Sequence, residues 1–202
     1  TGFVAGPLRE YAWPQDKMKE KFRADREQAK RLLAEAGYGP GGLQFVLTTV
    51  NQYVPDAEVV QQHLQQIGVN AQISVSPLSG SGAVLRQGGF EAAFGAITSP
   101  PVLVSYQAGE MVRTGGAGNF IGFSDPKVDA LAAAQGRELD PVKRKQVVDQ
   151  LQDYLYEIVP FVPSDSRIYY RFYGCNVKNM HPTDWHGHLT GITEAWLDPS
   201  AC

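Results

Sequence analysis

Two groupings of side chains in this 202-residue chain have the types and spacing to do chemistry. The first is the run His-Pro-Thr-Asp-Trp-His-Gly-His, which carries His181, Asp184, His186 and His188. Imidazoles at such spacing converge on a nickel or zinc ion if the loop folds back on itself. The plainer reading is a tail loop whose histidines share no ligand. The loose spacing and the lack of a second carboxylate favour that plainer reading. The second grouping is Thr98, Ser99, Tyr106, Asn119 and Phe120. It offers hydroxyls, an amide and aromatic rings without a charge cluster, which suits a polar organic ligand held by hydrogen bonds and stacking. The competing assignment is structural, with Asn119 bridging loops and Tyr106 packing. Trp13, Trp185 and Trp196 divide the same way, between stacking on a ligand and packing in a core.

Reactive machinery is not expected. No Gly-x-Ser-x-Gly elbow, phosphate loop, Cys-x-x-Cys or His-Glu-x-x-His occurs. Ser79-Gly80-Ser81-Gly82 lacks the lysine of a phosphate loop, and Glu91 and Asp129 form no visible acid–base pair. The formal net charge is -3 and no Lys/Arg run exists, which argues against a nucleic-acid partner. No stretch of eighteen apolar residues occurs, so no transmembrane helix is expected. The chain begins at Thr1 without a methionine, a basic segment or an apolar leader. It therefore reads as a piece of a longer protein, with any export signal upstream. Cys175 and Cys202 are compatible with one disulfide or with two free thiols.

The elements that must position these residues centre on residues 43–97. Leu43 to Val50 is an apolar, β-branched run without a breaker and predicts a covered strand. Pro55 and Asp56 open a helix with Val60, His63, Leu64 and Ile67 at helical spacing, closed by Gly68. Val69, Ala71, Ile73 and Val75 alternate with polar residues, the period of a strand. A short helix over residues 83–87 and a third strand from Phe90 to Ile97 follow. Strands separated by helices predict an α/β fold with a mainly parallel sheet, and in such sheets ligands lie beyond the carboxyl ends of the strands. The second grouping falls on the loops after the third strand.

Around this centre, residues 1–22 read as an irregular packed segment with a helical turn or two from Lys17. Asp25 and Gln28 form a capping-box pattern ahead of a helix with Ala29, Leu32, Leu33 and Ala36 as its buried stripe, ended by Gly37. Residues 98–122 read as loop. Ser124 is the expected cap of a helix with Val128, Leu131 and Ala132 inward. Asp140-Pro141 starts the longest helix, buried through Val147, Val148, Leu151, Tyr154, Leu155 and Ile158 and stopped by Pro160. Phe161 to Pro163 and Ile168 to Tyr173 look extended.

Four stretches, in order, resemble one family: Asp25 to Tyr38 (DREQAKRLLAEAGY), Leu64 to Val69 (LQQIGV), Asn119 to Leu131 (NFIGFSDPKVDAL), and Asp140-Pro141-Val142-Lys143-Arg144 with the long helix ending at Glu157-Ile158-Val159-Pro160. The chain resembles the C-terminal part of an extracellular solute-binding protein of the peptide/nickel type, family 5. The resemblance runs from about Arg23 to Pro163. It implies the second lobe of a periplasmic-binding-protein fold (class II, cluster C-like), with a mixed, mainly parallel sheet flanked by helices. It also implies hinged closure on a ligand, with residues 1–163 as the lobe and 164–202 as a segment returning toward a missing first lobe. The implied activity is capture of a peptide or other small polar solute and delivery to an ABC permease. The receptor would be a monomer without cofactor, periplasmic or extracellular, with or without a lipid anchor. Nickel transport occurs in the family, which is why His181, His186 and His188 stand as the alternative. One departure bears on the ligand. Dipeptide-binding members carry an aspartate after the third strand, where it meets the ligand's ammonium. Here the run is Ala96-Ile97-Thr98-Ser99-Pro100-Pro101, without a carboxylate. A buried cation needs a paired charge, so a longer peptide or a neutral, sugar-like solute is the expected ligand class.

Overall fold

The computed structural model describes residues 2–4, 8–77, 88–95, 104–164, 172–180 and 194–201. The histidine run, Thr98, Ser99, Trp185, Cys202 and the expected helix over 83–87 lie outside them. The chain divides into two compact units. One, the sheet unit, comprises Gln15–Thr98 and Asn119–Phe123; the other, the helical unit, comprises Thr1–Pro14, Ser99–Gly118 and Ser124–Cys202. Among the described residues no helix is long and apolar enough to cross a membrane.

The sheet unit starts with α1 (Gln15–Lys21) and α2 (Arg26–Glu35). The Asp25 carboxylate caps α2, accepting from Gln28 N–H at 2.8 Å. At the other end Gly37 adopts a left-handed conformation (φ 87°), and Tyr38 N–H reaches back to Leu33 O (2.8 Å) while Gly37 N–H bonds Ala34 O (3.0 Å). These two bonds are the backbone half of a glycine-terminated helix stop. The expected burial of α2 is corrected: it has no buried residue, and Leu32 is 56% exposed. The stripe Ala29, Leu32, Leu33 and Ala36 is amphipathic by spacing, but periodicity fixes which side is apolar and does not supply something to pack on it.

Strand β1 (Leu43–Val50) leads through a short 3-10 turn into α3 (Val54–Gln65), then β2 (Val69–Ser76) and β3 (Ala92–Ala93). The order is β2-β1-β3, both pairings are parallel, and β1 and β2 run in register from Leu43↔Val69 to Val50↔Ser76. Leu47, Ala57 and Ala71 form the buried centre, with Phe45, Val60, Leu64 and Ile73 packed on it. The alternation in β2 is present, yet burial fades along it, from buried Val69 and Ala71 to exposed Val75. The third strand is shorter than the apolar run suggests. Gly95, in a left-handed conformation, follows Phe94 and breaks the extended path.

The helical unit contains a helical turn over residues 104–110, whose Tyr106–Glu110 part is π-helical. Here the expected loop is corrected. Val104, Ala108 and Val112 are buried at i, i+4 and i+8, a helical repeat concealed by the surrounding glycines. Helix α4 (Pro126–Arg137) packs on α5 (Pro141–Ile158). Both begin alike, with an aspartate whose Oδ1 accepts two backbone N–H groups ahead of a proline at the first position. Asp125 takes Lys127 and Val128 (2.8 and 3.0 Å), and Asp140 takes Val142 and Lys143 (2.8 and 3.0 Å). The cap of α4 is thus Asp125 and not Ser124, since the residue directly before the proline occupies the cap position. Helix α5 ends at Val159, which is left-handed (φ 45°), ahead of Pro160.

The core of this unit is Val128, Val148, Leu151, Leu155, Val112 and Val4, all essentially excluded from solvent. Trp13 packs edge-on to Phe3 (6.4 Å) and Tyr156 (6.1 Å), and Phe3 meets Phe161 at 5.2 Å. Buried Gln152 fastens Val4 and Tyr11 to α5: its Oε1 accepts from Val4 N–H (3.3 Å) and its Nε2 donates to Tyr11 O (3.0 Å). Near the C-terminus β4 (Val177–Lys178) and β5 (Trp196–Leu197) pair antiparallel, and Cys175 is disulfide-bonded.

Candidate functional site

Toward the carboxyl ends of β1 and β2 in the sheet unit, hydroxyl side chains stand among Val50 and Val75. Because side chains alternate, Phe45, Leu47, Ala71 and Ile73 point to the core side, and Thr48, Ser74 and Ser76 share the other face. Register places Thr48 beside Ser74 and Val50 beside Ser76. These hydroxyls line a cavity of about 550 Å³, together with Val46, Phe90 and Glu91. Two side chains hold β3 and the residues around it to β1. Glu91 Oε2 accepts Val46 N–H, and Thr49 Oγ1 donates to Phe94 O at 3.0 Å. Gly95 then passes Tyr53 so closely that a Cβ there would lie 2.5 Å from the ring, at a positive φ of 97°. Only glycine fits this turn.

Of the residues singled out from sequence, Asn119 and Phe120 belong to the sheet unit and Tyr106 to the helical unit. Asn119 closes a five-residue turn on itself. Its Nδ2 donates to Phe123 O (2.7 Å) and its Oδ1 accepts Phe123 N–H (3.1 Å). Phe120 is half-buried. Tyr106 opens the π-helical turn, and its hydroxyl lies against Gly118, where a Cβ would come within 2.8 Å of it. Trp13 is core, whereas Trp196 on β5 is exposed. The hydroxyl row of Thr48, Ser74 and Ser76 was missed. The signal was available in the polar half of the same alternation that marked β2.

Charged contacts concentrate in the helical unit. Glu110 accepts from Arg113 Nε and Nη2 (2.7 and 2.8 Å) and from Ala117 N–H (3.1 Å). The guanidinium first, then the amide, hold its carboxyl below the usual range. The cap of α4 behaves likewise. Bonds from Val128 N–H and then the Tyr154 hydroxyl (3.0 Å) keep the Asp125 carboxyl low, and the same bond to Asp125 raises Tyr154. Lys127 Nζ sits 3.8 Å from the centre of the Tyr154 ring. Among the described residues no cluster of His, Cys, Asp and Glu is arranged to hold a metal ion.

The parallel sheet crossed by helices is an arrangement this chain shares with solved periplasmic binding proteins. Solved structures bear this out for the fold. The mannohexaose-bound periplasmic oligopeptide-binding protein of Thermotoga maritima superposes with a TM-score of 0.68 at 21% identity, covering 80% of this chain and 35% of that one. OppA of Burkholderia pseudomallei gives 0.62 at 24% identity, over 75% and 29%. NikA of Staphylococcus aureus, in complex with Ni(L-His)2, gives 0.58 at 22% identity, over 67% and 30%. The chain thus spans about a third of the length of the solved structures it resembles. A comparison with curated proteins returned no match. The profile described as "Bacterial extracellular solute-binding proteins, family 5 Middle" matches residues 2–119, more than half of the chain. The chain belongs to family 5 of the bacterial extracellular solute-binding proteins.

Proposed function

We propose that the chain is part of the substrate-binding component of an ABC importer. The protein captures a peptide or other small polar solute outside the cytoplasmic membrane and hands it to a permease. The observation that carries this reading is the family match over residues 2–119. Residues 1–163 supply one lobe and 164–202 return toward the other. The residues we assign to ligand binding are Thr98, Ser99, Tyr106, Asn119 and Phe120. Since both polar ends of the Asn119 side chain already bond Phe123, its part is to shape the loop that presents Phe120. The absence of a carboxylate between Ala96 and Pro101 favours a longer peptide held by its backbone, or a neutral solute, over a ligand fixed by a free ammonium. A relative of this fold was solved with mannohexaose bound, which fits the neutral option.

The test is thermal unfolding of the full-length protein against short peptides, neutral oligosaccharides and nickel–histidine. A ligand that binds only the folded state must raise the melting temperature with concentration. A saturable rise with a peptide or an oligosaccharide is expected. No rise with either removes the reading. A rise confined to nickel and abolished by His186→Ala transfers it to the alternative built on His181, His186 and His188.

A further inference from the structure

The helical unit holds a second cavity, a cleft of about 430 Å³ between the turn over residues 104–110 and α4. Gly109, Ala132 and Gly136 leave room in it by carrying little or no side chain. Gln135 lines it and is only 1% exposed. Its Oε1 accepts from Arg144 Nε (3.3 Å) and Nη2 (3.0 Å). A guanidinium only donates, so this pairing fixes which end of the amide is oxygen. The amino end, Nε2, is turned toward Gly109, where an added methyl would lie 3.3 Å from it. Among the described residues Nε2 has no hydrogen-bond acceptor. Nε2 thus lines the cleft as a donor that no described residue uses.

Two more groups on the cleft have capacity to spare. Asp129 Oδ1 accepts Thr114 N–H (2.7 Å), and Oδ2 takes no hydrogen bond among the described residues. The same holds for the exposed hydroxyl of Ser105. The formal charges are otherwise spent, since Arg113 is committed to Glu110 and to Thr114 O. An anion therefore finds no uncommitted cation on these walls. An apolar molecule would leave the Gln135 donor orphaned. One donor, one acceptor and one hydroxyl match a molecule whose every polar group both gives and takes a hydrogen bond. We propose that this cleft binds a small, neutral, hydroxyl-rich solute of mono- or disaccharide size, with Gln135 Nε2 donating to a ligand oxygen and Asp129 Oδ2 and the Ser105 hydroxyl engaging its hydroxyls. The volume is within the range of small-ligand pockets. The proposal concerns the helical unit alone and stands apart from the importer reading.

Side-chain amide NMR of the 15N-labelled full chain tests it, with glucose and sucrose as probes and putrescine and succinate as charged controls. Gln135→Glu keeps an acceptor for Arg144 and deletes the NH2 group, so the signal that vanishes belongs to Gln135. Gly109→Ala puts a methyl against Nε2 without requiring an unusual backbone. Unchanged backbone amides of α4 in both variants show that the fold is intact. The expected result is a saturable shift of the Gln135 NH2 signal and of the cleft-lining Ala132 and Gly136 backbone amides with one of the sugars, the affinity read from those backbone amides falling about tenfold or more in each variant, the loss typical of one buried hydrogen bond. The proposal is overturned by no shift with either sugar, which leaves the amide bound to water only. It is equally overturned by shifts of the same size with the charged controls, or by sugar affinity unchanged in both variants.

Discussion

The two units hold themselves together by different means. In the helical unit, side chains from α4 and α5 pack with Phe3, Val4, Leu8 and Trp13, and Leu151, Leu155, Val128 and Val148 are wholly enclosed. In the sheet unit the enclosed centre is Leu47, Ala57 and Ala71, two of them alanines, and the order comes instead from the unbroken register of β1 with β2. The first arrangement draws on apolar volume and close packing, the second on backbone hydrogen bonds with a thin hydrophobic cover. A unit of the second kind tolerates changes at its helices better than changes where the chain must pass through a narrow space.

The sharpest break in that comparison is one substitution made in both places. Leu151→Ala should cost about 2–5 kcal/mol in denaturant unfolding, through lost burial and a residual cavity. Leu32→Ala on α2 should stay within about 0.5 kcal/mol, as for an exposed position. Equal losses would mean that α2 is covered after all and the contrast fails. Next in size is Gly95→Ala. A left-handed non-glycine residue costs roughly 1–2 kcal/mol, and the Tyr53 ring would have to move as well. A lower melting temperature is expected, partly restored when Tyr53→Ala makes room; no change at all would show that the turn is not a constraint. The smallest effect is with pH. Asp125 and Glu110 are both held below the ordinary carboxylate range. Their contribution is present above the unfolded-state pKa and is lost as pH falls through the depressed folded values. Stability should therefore decline on the acid side, and less steeply in Asp125→Asn, which keeps a cap but cannot titrate there. A slope that is the same in both proteins would remove Asp125 from that account.

Much of the sheet unit could be read before any coordinates, because its signals are local. The β-branched run of β1, the helical spacing of α3 and the alternation in β2 each specify an element without outside help. The same is true of Asp140-Pro141. What escaped reading depends on neighbours. Ser124 and Asp125 are both good caps, and only the position of Pro126 decides between them. The helix through Val104 and Ala108 is masked by Gly109, Gly115 and Gly116, although its i, i+4, i+8 apolar repeat was there to be counted. Gln135 and Gln152 look like solvent-facing residues by type. Their place on the buried stripes Val128–Ala132–Gln135 and Val148–Gln152–Leu155 was the available clue. For the ligand residues the order of motifs indicated a region, but sequence could not show that Asn119 spends its amide on Phe123.

The shortness of β3 has a consequence for the protein's behaviour in a crowded solution. A strand flank with bare N–H and C=O groups invites strands from other molecules to add to it and seed aggregates. Here Phe94 N–H bonds Thr48 O (2.8 Å) just past the end of β3, and the Glu91 carboxylate occupies Val46 N–H. That flank of β1 is plugged by a side chain and a turn, with a negative charge standing where an incoming strand would begin to zip.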